Sequence, residues 1–192
     1  MFTIYVDDKP LYVPTLTDSG YGVISPRLSV ELSKAGSLEL SLPPNNLMYD
    51  GIKKLKSVVK VFQDDDELFE GRVLHDEKDF FKQKQVYCEG ELAYLLDSTV
   101  RPCTFTKKEV SAVFGDLINK HNTRMTKNSS DTSKNFEVGN VEITGKVTCE
   151  IKDYPTTLDA ITNNLIEVFG GYISIRKANG VRYIDWLSNS SP

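Results

Sequence analysis

Apolar residues alternate with polar ones in a series of short runs through the first hundred positions, the period of two that marks strands with one face turned to a core. Leu28, Val30 and Leu32 alternate with Arg27, Ser29, Glu31 and Ser33. After Lys34-Ala35-Gly36 the pattern resumes as Leu38, Leu40 and Leu42 between Ser37, Glu39 and Ser41. The spacing predicts a hairpin with one wet face, ended by Pro43-Pro44-Asn45-Asn46 because proline cannot donate to a ladder. A tight connection at Asp7-Asp8-Lys9-Pro10 joins a strand over 3–6 to one over 11–13, and a short helical turn is expected over 47–55. Val58-Val59-Lys60-Val61-Phe62 then leads through the acidic turn Asp64-Asp65-Asp66-Glu67 to a strand over 68–74. A further strand runs over 82–88, and Leu92, Leu95 and Leu96 form a helical grouping within 90–97. Many short antiparallel strands in a row predict a small barrel or sandwich.

Near residue 105 the period changes to 3.6, because Val110, Val113, Phe114, Leu117 and Ile118 recur at helical spacing. Thr106 followed by Glu109 reads as a capping box at the start of this helix. A second helix repeats the recipe, with Thr156 before Asp159, with Leu158, Ile161, Leu165, Val168 and Phe169 on one face, and with Gly170-Gly171 as its stop. The intervening stretch 122–135 is almost wholly polar and is expected to be mobile. Tyr172–Arg176 and Val181–Leu187 flank Lys177-Ala178-Asn179-Gly180, a hairpin signal because Asn-Gly accepts positive φ. The expected fold class is therefore α+β and β-rich, with a small antiparallel barrel-like domain over residues 1–104 and a mixed α/β domain with two helices and a C-terminal hairpin over 105–192.

Composition narrows the possible functions. The chain has 192 residues, 23 basic against 27 acidic, for a formal net charge of −4. A mildly acidic surface does not supply the basic footprint that phosphate backbones require, so specific nucleic-acid binding is not expected. No run approaches the roughly 20 apolar residues that cross a bilayer, so no membrane insertion is expected. The start also lacks the basic and apolar regions of a secretion signal. Cys88, Cys103 and Cys149 are odd in number and contain no Cys-x-x-Cys pair, which predicts three reduced, mostly buried thiols.

Chemical motifs are sparse. His75 and His121 are the only histidines and form no metal-ligand spacing, so each is expected to be a structural histidine. A Cys-His nucleophile pair is left as the rival reading, since its partners would meet only in space. The segment from Gly139 to Val147 faintly resembles a phosphate loop, but its glycines are separated by five residues and Val147 replaces the magnesium-binding hydroxyl. A strand and turn is the better reading. The run 64–67 lacks the alternating ligands and central glycine of a calcium loop. Asn128-Ser129-Ser130 and Asn189-Ser190-Ser191 match the glycosylation sequon without a secretion signal to give it meaning. No catalytic, cofactor-binding or metal-binding residue is assigned.

Two longer segments carry more information. The first is Phe69-Glu70-Gly71-Arg72-Val73, followed by Val86-Tyr87-Cys88-Glu89-Gly90-Glu91-Leu92-Ala93-Tyr94-Leu95-Leu96-Asp97-Ser98 and Arg101-Pro102. The second starts at Thr156-Thr157-Leu158-Asp159-Ala160-Ile161. It continues through Phe169-Gly170-Gly171-Tyr172-Ile173-Ser174-Ile175-Arg176 to Gly180-Val181-Arg182-Tyr183-Ile184-Asp185-Trp186-Leu187. In order and surroundings they resemble the N-terminal baseplate-hub region of phage tail proteins of the prophage tail-endopeptidase, or tail-associated lysin, family. Each motif also has a bland reading, Gly90 as a turn, Gly170-Gly171 as a helix stop, Asn179-Gly180 as a hairpin.

The resemblance implies a phage tail hub fold and a homotrimer at the virion tail tip, part of a ring that continues the tail tube. It implies the distal tail protein and tail tube proteins as partners. In that family hydrolysis belongs to domains downstream of the matched region, so no enzymatic activity and no cofactor are expected here. A chain stopping at Ser188-Asn189-Ser190-Ser191-Pro192 is read as a truncated piece or a shortened homologue. Three rivals stand beside this reading: a hydrolase or wall-degrading enzyme, the hub of a contractile injection or type VI secretion device, and a receptor- or carbohydrate-binding module suggested by 9 Tyr, 9 Phe and one Trp.

Overall fold

The computed structural model describes residues 1–127 and 130–189. The chain divides into two compact units, Met1–Glu91 and Leu92–Pro192. The change of periodicity near residue 105 lies inside the second unit.

The first unit is one antiparallel sheet built from β1 (Phe2–Val6), β2 (Lys9–Tyr12), β3 (Ile24–Ser29), β4 (Ser37–Leu42), β5 (Val58–Gln63), β6 (Asp66–Lys78) and β7 (Lys84–Gly90). Their order across the sheet is β2-β1-β5-β6-β7-β4-β3, and the sheet curls into a half-barrel. The expected β-rich α+β class is the one observed. Its inner face carries Ile4, Val6, Leu38, Leu40, Leu42, Val59, Val61, Phe69, Val73, Val86 and Cys88, all buried in one cluster. Each fully buried aliphatic side chain contributes about 1.5–3 kcal/mol of transfer free energy. Asp7 and Asp8 both take positive φ, 51° and 59°, so the first hairpin turns in two residues and Lys9 and Pro10 already belong to β2.

Strand β6 is the spine of this unit. Its first half pairs with β5 and its second half with β7, so the two ladders share it. A register shift between Val73 and His75 inserts Leu74 as a bulge, after which the alternation changes phase. His75 and Glu77 then fall on the outer face with Arg72, and Asp76 and Lys78 on the inner one. Lys78 stands directly opposite Lys84, which is buried. The like-charge pair is tolerated because both ammonium groups lie over the Tyr49 ring, 4.8 and 4.9 Å from its centroid. Asp50 lies 3.8 Å from Lys78, Asp76 lies 3.9 Å from Lys84, and Lys84 donates to the Tyr49 carbonyl.

Several local expectations change. Alternation at 30–32 does not continue the strand: β3 ends at Ser29, and Val30 and Leu32 are exposed in the connection to β4. Residues 47–55 form successive turns instead of a helix, held by Tyr49 donating to the Lys82 carbonyl at 2.5 Å and by Asn46 donating to the carbonyls of Leu11 and Gly22. Gly90 is not a turn. It ends β7 without positive φ, and a Cβ there would lie 1.9 Å from the Ala35 carbonyl oxygen, so glycine is required by close approach.

The second unit begins within the 3-10 segment Glu91–Leu96, which buries Leu92, Ala93, Tyr94 and Leu95 and leaves Leu96 exposed. It continues as β8 (Cys103–Glu109), α1 (Val110–Thr126), β9 (Glu137–Val141), β10 (Lys146–Ile151), α2 (Thr157–Ile161), a π turn (Thr162–Ile166), α3 (Glu167–Phe169), β11 (Tyr172–Ala178) and β12 (Val181–Leu187). β8 pairs with β10, and β12 lies between antiparallel β11 and parallel β9. The apolar stripe of α1 is buried as its spacing predicts, and Phe114 packs on the buried Trp186 with ring centroids 5.7 Å apart. The Thr106 capping box does not form: Thr106 lies within β8, and the Glu109 side chain makes no cap bond. At the second helix the cap is present, with Asp159 N–H donating to Thr156 Oγ1 at 3.1 Å. The π turn rotates the face of that helix, so Ala160, Ile161 and Leu165 are buried while Val168 is exposed. Asn179 and Gly180, at φ 52° and 75°, close the last hairpin as expected.

Gly90→Ala is expected to destabilise the chain by about 2 kcal/mol or more, read as a lower urea midpoint at unchanged slope. An unchanged midpoint would contradict the close approach to Ala35.

Candidate functional site

The residues with chemical potential separate into a sealed network and several exposed patches. In the second unit, His121 is fully buried on α1. Its Nε2 lies 2.9 Å from the Lys134 carbonyl oxygen, which only accepts, so Nε2 carries a proton. In the neutral ring Nδ1 is then the acceptor, and Ser98 Oγ donates to it at 2.7 Å. Ser98 Oγ in turn lies 2.7 Å from Thr157 Oγ1. A serine against an imidazole has the outline of a nucleophile and base. Ser98 and Thr157 are as buried as the histidine, and the far ring nitrogen is held by a peptide carbonyl and not a carboxylate, so no substrate reaches the hydroxyl. The network ties the chain around Ser98 to α1 and to the start of α2, where Thr157 N–H also donates to the Ser98 carbonyl.

The polar stretch after α1 is pinned by the same helix. Asn122 donates to the Phe136 carbonyl at 2.7 Å and accepts from the Phe136 amide at 3.0 Å, completing a strand-like pair with one side chain. Arg182 from β12 lies over the rings of Tyr94 and Phe136, at 5.0 and 5.5 Å, and donates to the Ser133 carbonyl at 2.6 Å. These contacts order much of a stretch whose composition alone suggests mobility. Asp185, on β12, accepts from the Asn140 amide at 2.6 Å and from Arg176 at 2.8 Å, so its buried carboxylate fills the irregularity between β9 and β12. Two-residue periodicity carries no signal for an Asp inside a central strand, and the sequence reading missed it.

The rival Cys-His pair does not form. His75 stacks on Tyr87, with ring centroids 5.3 Å apart, and His121 is engaged with Ser98 and Lys134. Burial pushes the Cys88 thiol up to about 12, which leaves almost no thiolate at neutral pH. Cys103 and Cys149 are half-buried, and burial followed by the neighbouring Cys103 raises the Cys149 thiol. The three thiols are free, as expected, but only Cys88 is buried.

Gly139–Val141 lies in β9 and Lys146–Val147 in β10, so the phosphate-loop likeness is strand and turn. Asp64 and Asp65 form the β5–β6 turn, and Asp66 and Glu67 already pair in β6. Asn128-Ser129 and Ser190-Ser191, within the two sequons, lie outside the described residues. Among the described residues no group of three or more His, Cys, Asp or Glu is placed to hold a metal, and no helix is long and apolar enough to cross a membrane.

The most exposed apolar side chains lie at the tip of the β6–β7 hairpin. Phe80 and Phe81 cap the β6–β7 hairpin at 93% and 75% exposure, edge to face at 5.4 Å. Asp79 holds this tip in shape, accepting from the Gln83 amide at 2.8 Å and pairing backbone with Gln83 and Lys82. Val30 and Leu32 are exposed in the β3–β4 connection.

No family model and no curated protein sequence matches the chain. Solved structures do. The chain is similar over its whole length to 52% of a tail protein from Neisseria meningitidis MC58, at 13% identity and a TM-score of 0.63. It is similar over 96% of its length to 55% of the 43 kDa tail protein of prophage MuSo2 from Shewanella oneidensis, at 12% identity and a TM-score of 0.58. It is also similar over 82% of its length to 43% of prophage tail protein gp18 from Listeria monocytogenes EGD-e, at 13% identity and a TM-score of 0.50. The chain therefore shares its fold with phage and prophage tail proteins and spans about half the length of those chains.

Burial lowers the affinity of His121 for a proton, outweighing the carbonyl of Lys134 and the Asp97 carboxylate, which favour protonation; Lys134 and Arg182 add to the lowering. The unfolded chain then binds the proton more readily than the fold does. The stability contributed by neutral His121 is complete above the ordinary histidine value of 6.5 and is lost as pH falls from there through the lower value that burial imposes in the fold. Urea midpoints are expected to drop between pH 7.5 and 5.5, and His121→Asn, measured over the same range, is expected to flatten that slope. An equal slope in both proteins would exclude His121 as its source. In the native protein Cys103 and Cys149 are expected to be alkylated by iodoacetamide well before Cys88, whose labelling should await denaturant; early labelling of Cys88 by peptide mass mapping would contradict its burial.

Proposed function

We propose that this chain is a structural component of a phage or prophage tail tip, a baseplate-hub part forming a homotrimeric ring that joins the tail tube to distal or host-wall-directed parts. The observation that carries this reading is the similarity of the fold, along 82–100% of the chain, to tail proteins from three bacterial genera. The ordered motifs that resemble the N-terminal hub region of the tail-endopeptidase family support the same reading. The partners under this reading are two further copies of the chain, the distal tail protein and the tail tube proteins, in the virion.

A role without catalysis accords with the chemistry of the described residues. The Ser98–His121 pair is sealed from solvent, and burial raises the Cys88 thiol. Phe80 and Phe81, exposed at the tip of the β6–β7 hairpin, are apolar side chains of the kind a ring of identical subunits would bury between its members.

Immunogold electron microscopy of induced tailed particles, with antibody to this chain, is expected to label the tail tip alone. Light scattering of the purified chain is expected to show three times the 21.6 kDa chain mass. Unlabelled particles with antigen free in the lysate would overturn the tail reading, and label along the whole tube or a stable monomer would overturn the hub reading.

A further inference from the structure

The outer face of the half-barrel carries two cross-strand rows of polar side chains that the assembly reading leaves unused. Register places Arg27 opposite Glu39, Glu39 opposite Tyr87, and Tyr87 opposite His75, one row across four strands. A second row runs Ser41, Gln85, Glu77. Three strand spacings make the first row roughly 14 Å long. The rows border a groove of about 400 Å³.

The two rows differ from the rest of the same face. Elsewhere its charges are spent on one another: Arg72 donates to Glu89 at 2.5 and 2.7 Å, and Lys60 to Asp8 at 2.7 Å. Among the described residues, the side chains of Arg27, Glu39, Ser41, Glu77 and Gln85 have no hydrogen bond or ion pair, although Arg27 and Glu39 are direct neighbours. Donors and acceptors thus alternate across a groove with their capacity free. His75 covers the phenol ring of Tyr87 from the β6 side at 22° interplanar angle, which leaves the other ring face toward β4. The bulge at Leu74 is what brings His75 and Glu77 to this face.

We propose that this groove binds an uncharged oligosaccharide of about two or three sugar rings. Sugars present hydroxyls that both donate and accept along a flat edge, with C–H faces that lie on an aromatic ring, and they match this mixture of free groups beside Tyr87. The groove sets two carboxylates against one guanidinium, which disfavours a polyanion and gives no net charge for a cation to seek beyond one unit. The inference goes beyond the tail reading and stands or falls separately from it.

The test is saturation-transfer NMR followed by calorimetry on the full chain with chitotriose, maltotriose and cellotriose, and with trigalacturonate as the anionic control. At least one neutral trisaccharide is expected to bind, with Kd on the order of 1 mM or tighter. Tyr87→Ala is expected to weaken it at least about tenfold, and the isosteric Glu39→Gln and Glu77→Gln at least about fivefold each. The Gln variants carry the test if Tyr87→Ala fails to fold. The proposal is overturned if no neutral trisaccharide binds, if trigalacturonate binds as well, or if binding survives both Gln substitutions.

Discussion

The bulge at Leu74 in β6 is the constraint from which most of the first unit follows. A 13-residue strand shared by two ladders would keep one apolar face along its length only if thirteen side chains alternated correctly. Here the phase changes after Val73. Before it, Phe69 and Val73 face the core and Glu70 and Arg72 face out. After it, Asp76 and Lys78 face in, and the core must end in polar groups. The Tyr49 ring, the Asp50 and Asp76 carboxylates and the Tyr49 carbonyl satisfy Lys78 and Lys84 at that end. This is why residues 47–55 are turns that fold under the sheet and not a free helix. The same phase change moves His75 and Glu77 outward beside Tyr87.

The second unit solves a related problem with hydrogen bonds. Its segments around Ser98, Lys134 and Phe136 bury polar groups beside apolar ones, and the carbonyls, amides and hydroxyl they bury need partners. Two adjacent residues of α1 supply them. His121 takes Ser98 and the Lys134 carbonyl, and Asn122 takes both polar groups of Phe136. Removing either partner of such a buried bond leaves a desolvated group at a cost of about 1–3 kcal/mol, so the pair is as structural as the apolar stripe on the same helix.

What sequence revealed tracks how local the determinant is. The stripe from Val110 to Ile118, the Thr156 cap, Asn179-Gly180 and the runs at Leu38–Leu42 and Val58–Phe62 are short-range patterns, and they appear where their spacing puts them. Leu74 as a bulge, Gly90 against the Ala35 carbonyl and Asp185 against the Asn140 amide depend on residues distant in sequence. Periodicity has no access to such contacts. Thr106 shows the converse, since a valid local cap signal lost to pairing of β8 with β10. The groove was illegible for the same reason: Arg27, Glu39, Tyr87 and His75 lie on four strands, and only register aligns them.

Edge chemistry bears on how copies of this chain would associate. The seven-stranded sheet ends in β2 and β3, and each edge strand carries a proline, Pro10 and Pro26. Proline removes a donor and keeps strangers from extending a ladder. β3 is further broken by a register shift between Ile24 and Arg27, and β2 is only four residues long. A ring built from this unit would therefore join through side chains and loops more readily than through a continuous sheet. In the proposed ring Phe80 and Phe81 would suit that requirement, because Asp79 holds the hairpin tip in shape and little ordering entropy would remain to oppose contact.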